Sequence, residues 1–189
     1  KPARDKALKV VQDIDPVLTP DDVESTCRLL GNSQYAFLAY VHLGLMHEDA
    51  NQQFPNEFSQ LQIFSALRSL SSLLEVEMKT LAGDMEATLF PALESLYKSK
   101  NWWNGFEKNR QAIKATQKST RPVDDQLKDA MSITPTDSDS SFWKSVLIAY
   151  ITRNYTIHQM ETRCALVQSY SGKAFGHILH VMVTAPRHI

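Results

Sequence analysis

A chain of 189 residues with 43% hydrophobic and 22% charged side chains has the make-up of an average globular protein, able to bury roughly 70% of its extended surface. No apolar run approaches the roughly 18 residues that a membrane-spanning helix needs, so no membrane association is expected. A formal net charge of −1 offers nucleic acid no global attraction, and any basic patch has to be local.

The elements are read in chain order. Ala7 to Ile14 is amphipathic and ends at Asp15-Pro16. Thr19-Pro20-Asp21-Asp22 opens a second helix, with a capping hydroxyl, proline in the first turn and acids near the positive end of the dipole; it stops near Gly31. Asn32-Ser33 starts a third, apolar nearly all round through Tyr35, Phe37, Leu38, Val41, Leu43 and Leu45, which predicts a central helix. Residues 56 to 82 carry the longest periodic stripe, from Phe58 through Leu67, Leu70 and Leu74 to Met78, ending before Gly83. Asp84 begins a segment with Leu89, Leu93 and Leu96, which Pro91 is expected to kink. A basic stretch then runs to Arg121. Residues 132 to 141 form a polar loop, and Ser140 or Ser141 is expected to cap the long apolar helix that follows. After Tyr170-Ser171-Gly172 a last helix spans Lys173 to Val183, with 181 to 184 the only plausible strand.

The expected fold is all-α, a bundle of about six or seven helices, as a single domain over residues 1–189. Cys27 and Cys164 lie in apolar periodic segments and read as reduced core thiols of a cytoplasmic protein. The chain starts at Lys1 without a signal-peptide pattern, consistent with excision from a longer chain that carries an upstream sensing domain or meets an inhibitory partner.

Three chemistries can be set aside at this stage. No glycine-rich phosphate loop and no G-x-S-x-G elbow occur. His177 and His180 form H-x-x-H, and His42 and His47 sit beside Glu48 and Asp49, but without cysteine partners or H-E-x-x-H no metal site or cofactor is expected.

One stretch carries chemistry. In Arg153-Asn154-Tyr155-Thr156-Ile157-His158, an ideal helix puts Asn154 and His158 on one face and Arg153 about 140° from the histidine. Arginine can bend back, or the helix can break here. A histidine titrating near neutral pH moves protons, and an arginine holds a phosphate and neutralises charge on its oxygens; the trio suits phosphodiester cleavage without a metal. RNA supplies its own nucleophile in the 2′-hydroxyl. By spacing alone, an exposed cation and a helix-end histidine remain an alternative.

"LIAYITRNYTIHQ" closely resembles the signature of the HEPN superfamily, in which an apolar helix runs into Arg-Asn, three variable positions and His within an all-helical domain. The resemblance is strong over the motif and extends to the rest of the chain only in kind. It implies a HEPN-like bundle and a metal-independent endoribonuclease with Arg153, Asn154 and His158 as catalytic residues. It further implies a homodimer whose two motifs face each other to form one composite site, of a kind found in defence, toxin pairs and RNA processing. Met160 stands where one toxin branch carries a tyrosine for modification, which disfavours that regulation.

A second stretch bears on RNA. Lys98 to Arg121 holds seven basic residues against Glu107, with Trp102 and Trp103 among them. Cations interleaved with aromatics suit single-stranded RNA, phosphates attracted by charge and bases stacked on rings; Trp102, Trp103, Lys108, Arg110 and Lys114 are the candidate RNA-binding residues. A solvated helix face is the alternative. For the whole chain, the alternative to a nuclease is a catalytically silent helical module for dimerisation or for binding a nucleotide or protein.

Overall fold

The protein, a computed structural model, is described over residues 1–53, 57–100, 106–117, 119–158 and 165–185, less the side chains of 32, 47–53, 57–61, 63, 97, 99, 100, 106–108, 117, 157, 158 and 165–171. Within these residues the elements are α1 (Pro2–Gln12), α2 (Pro20–Leu30), a short 3-10 turn (Gly31–Ser33), α3 (Gln34–Gln53), α4 (Glu57–Ala82), α5 (Leu89–Lys100), α6 (Phe106–Gln117), α7 (Val123–Ser132), α8 (Ser138–His158) and α9 (Ala165–Thr184). The all-α expectation holds among the described residues. Their nine α-helices exceed the six or seven expected, because the basic stretch contains one (α6) and residues 123–132 another (α7), whose short apolar stripe of Leu127 and Ala130 is hidden among acids.

Local signals set several helix ends. At α2, the Asp22 carboxylate accepts hydrogen bonds from the Thr19 backbone N–H (2.6 Å) and hydroxyl (2.9 Å), a capping-box arrangement that satisfies donors the helix cannot. Gly83 ends α4 at φ 71°, a left-handed conformation that costs glycine little. Pro91 does not kink α5. The helix starts only at Leu89, so Pro91 falls in the first turn, where its missing N–H has no partner to lose. At α8 the cap is Asp137 rather than Ser140 or Ser141: its carboxylate accepts from the Ser140 N–H at 2.7 Å, while the Ser140 hydroxyl oxygen accepts from the Asp137 N–H at 3.0 Å. The strand considered at 181 to 184 is helical, and α9 begins at Ala165, well before Lys173.

The centre of the bundle is α8 with α9 and α4. From Phe142 to Ile151, α8 is buried almost all round against α4, α6, α7 and α9, and α9 is buried from Ala174 to its end at Thr184. A helix apolar on every side has to be enclosed by others. α3, expected to be central, buries Phe37 and Val41 but leaves Tyr35 75% exposed and Leu43 and Met46 at the surface. It lies against α1, α4 and α9, close enough at one point that Phe175 takes the space a side chain at Gly44 would fill. Cys27 is buried and unbridged, and burial pushes its thiol pKa up; Cys164 lies outside the described residues. No described helix is long and apolar enough to cross a membrane.

Candidate functional site

α8 runs unbroken through the motif to its last residue, His158. The helix does not break to bring arginine and histidine together. Instead Arg153 turns toward α4. Its Nε and Nη2 both donate to Oε2 of Glu75, at 2.8 and 2.6 Å, and its Nη1 donates to Oδ1 of Asn154 at 3.1 Å. The Arg153 and Glu75 side chains are only 12% and 11% exposed. Lys79, one turn along α4, lies 3.4 Å from the other carboxylate oxygen. Among the described residues, two cations therefore flank this one buried acid.

Glu75 was not legible as a partner. It stands in the periodic run of α4 between Leu74 and Val76, and an acid within such a stripe is the one signal that could have drawn notice, since buried charges are paired.

Arg153 and Asn154 form part of the wall of a cavity of about 520 Å³. Tyr150, Ile151 and Tyr155 of α8 complete that wall; Thr88 closes one side, and Thr116, Ser119, Val123 and Gln126 come from α6, α7 and the link between them. Both tyrosines are held by edge-to-face ring contacts, Tyr155 with Phe64 at 6.0 Å and Tyr150 with Phe90 at 6.1 Å. His158 ends α8 one turn beyond Asn154, and its side chain lies outside the described ones.

The basic stretch adjoins this cavity through α6. Lys114 is exposed, its Nζ 5.8 Å above the Phe90 ring that touches Tyr150. Arg110 instead pairs with Glu94 through Nε (2.8 Å) and Nη2, with Lys98 3.7 Å from the same carboxylate. Burial alone would raise the Glu94 pKa; the Arg110 hydrogen bond and the charges of Arg110, Lys98 and Lys114 outweigh it and lower it. Lys108 lies on α6 with its side chain outside those described, and Trp102 and Trp103 lie outside the described residues.

His177 and His180 do other work. The Ser145 hydroxyl lies 2.8 Å from Nδ1 of His177 and 2.7 Å from Nδ1 of His180. Having one proton, it donates to one ring and accepts from the other. On its far side His180 faces Asp15, Nε2 to Oδ2 being 3.8 Å. Ser145 has no exposed surface, so no substrate reaches it as a nucleophile. Burial, and then the charges of Lys144, His180 and Lys173, lower the His177 pKa to about 3, and it stays neutral.

No known family model, no curated protein and no solved structure matches the chain.

Proposed function

We propose that the chain is a HEPN-type endoribonuclease that cleaves single-stranded RNA without a metal, as a homodimer with the two motifs facing each other. The observation that carries this reading is the cavity in which motif residues Arg153 and Asn154 share a wall with α6, the helix of the basic stretch. The Arg153 guanidinium meets a phosphate there and, already fixed by Glu75, costs little to organise. His158 takes the proton from the 2′-hydroxyl. The 2′-oxygen bonds to phosphorus, the bond to the 5′-oxygen breaks, and that oxygen leaves with a proton from an imidazolium. The product is a 2′,3′-cyclic phosphate.

The Arg153–Glu75 pair favours a second reading. A buried ion pair of this kind also suits a catalytically silent helical module, for dimerisation or for binding a nucleotide or protein.

The test incubates wild type, His158→Ala and Arg153→Lys with mixed single-stranded RNA in excess chelator. The nuclease reading expects His158→Ala to lose at least about 100-fold in rate, and Arg153→Lys to recover little because a point charge cannot replace the planar fork. RNA with a 2′-deoxy sugar at the cut resists. Cleavage equal in all three proteins, or present only with a divalent ion, overturns the mechanism; no cleavage by folded wild type leaves the second reading.

A further inference from the structure

The motif cavity has a neighbour. A second cavity of about 440 Å³ lies between α6, α7 and α8 and shares Thr116, Ser119, Gln126 and Ile151 with the first. The two chambers differ in character. At the first stand a guanidinium, amides, hydroxyls and tyrosines. The second is walled by Ala112 and Ala115 of α6, Ala130 of α7, and Ile133 and Leu147. The two charges at its rim, Arg121 and Asp129, are paired with each other at 2.8 Å. A ligand spanning both chambers has an anionic end and an apolar body, with polar groups where the Gln126 amide and the Thr116 and Ser119 hydroxyls stand between them.

We propose that the apolar chamber is a subsite for one nucleobase of a ribonucleotide whose phosphate lies at Arg153. This rests on the reading that Arg153 meets a phosphate, and it adds that the RNA is held by one base beside that phosphate. Alanines leave a shallow space suited to a flat ring, and both chambers fall within the usual size of ligand sites. The hydroxyls and amide at the junction meet ribose and base-edge groups. Thr116 already donates to the Ile113 carbonyl, the Gln126 amide to the Arg121 carbonyl, and Ser119 accepts from the Arg121 N–H; the Ser119 hydroxyl proton and the Gln126 Oε1 are what a ribose or base edge can meet and an acyl chain cannot.

Binding of adenosine 5′-monophosphate, cytidine 5′-monophosphate, ribose 5-phosphate and inorganic phosphate, followed by NMR shift titration, tests the subsite. Ala115 and Ala112 are exposed positions on α6, so Ala115→Trp, with Ala112→Trp as a second variant, fills the chamber without disturbing the core. In wild type at least one nucleotide should bind about tenfold or more tighter than ribose 5-phosphate. A tryptophan variant that melts like wild type should lose that advantage while binding ribose 5-phosphate unchanged. Nucleotides no better than ribose 5-phosphate, or an advantage that survives both tryptophans, overturn the subsite. The nuclease reading is judged separately: a chain that cuts no RNA but keeps the base-dependent advantage retains the subsite and loses the nuclease, and one that cuts RNA without any such advantage does the reverse.

Discussion

Arg153 serves both structure and the proposed chemistry, and this changes what its removal means. Removing Arg153 leaves the buried Glu75 with Lys79 beside it, so the loss should fall below the about 3 kcal/mol of a fully unpaired buried charge, and replacing both Arg153 and Glu75 with apolar groups should restore part of it. Urea denaturation of Arg153→Met, Glu75→Leu and the double variant checks this: the double variant should be more stable than either single one, and simple additivity would show that the pair is not coupled. His177 makes a second residue-scale prediction. In the unfolded chain it takes up a proton below its ordinary pKa of 6.5, but in the fold only near 3. Between those values the unfolded state binds more protons, so stability rises with pH across this window and is lost as pH falls from 6.5 toward 3, by up to about 1.4 kcal/mol per unit. Unfolding midpoints at pH 7.5, 6 and 5 should show the decline, and His177→Gln should flatten it. An identical slope in that variant would trace the pH dependence to other groups.

Gly44 and Asp137 make predictions for whole elements. Alanine at an interior helix position normally gains about 1 kcal/mol over glycine. At Gly44 of α3 the added carbon would lie 2.3 Å from Cε2 and 2.4 Å from Cζ of Phe175 on α9. Relieving that overlap moves a fully enclosed ring or parts the two helices, and overpacking of this kind costs about 1–3 kcal/mol, so the clash should win. Thermal melts should place Gly44→Ala below wild type, and Gly44→Ala with Phe175→Leu above the single variant; a stabilised Gly44→Ala would mean that α3 and α9 are not in such contact. Asp137→Ala removes the side-chain acceptor at the start of α8 and should cost about 1 kcal/mol, visible in the same melts. Because α8 carries the motif at its other end, RNA cleavage by the folded variant should be unchanged.

For the molecule as a whole, the proposed composite site requires two copies. Light scattering across dilution should show a dimer, with an interface of at least about 1,000 Å² that includes the C-terminal end of α8. A monomer at every concentration, with RNA present, would count against a shared site. Charge on α6 gives a separate measure. Lys114 is an exposed cation of α6 whose side chain is described, and Lys114→Glu should weaken RNA binding and lower the slope of log affinity against log salt by about one. Arg110 is a poorer choice for this experiment, since reversing it also breaks the Glu94 pair.

What the sequence determined by itself is local. The period of the apolar stripe in α4, the capping box at Thr19 and Asp22, the glycine stop at Gly83 and the succession Arg153, Asn154, His158 each lie within a few residues, where backbone geometry dictates what neighbours do. Misreadings arose where two local signals competed. Proline signals a kink inside a helix but is accommodated in a first turn, and α5 starts only two residues before Pro91; the short stripe of α7 is masked by its aspartates. Tertiary structure alone decided which apolar helix is enclosed, since α3 and α8 both look apolar all round and only packing distinguishes them. It also decided that Arg153 meets Glu75, 78 residues away, that Ser145 joins two histidines across the α8–α9 contact, and that α6 and α7 close cavities against the motif. Such pairings depend on the shape and charge of surfaces brought together by burial, and no spacing along one stretch of chain encodes them.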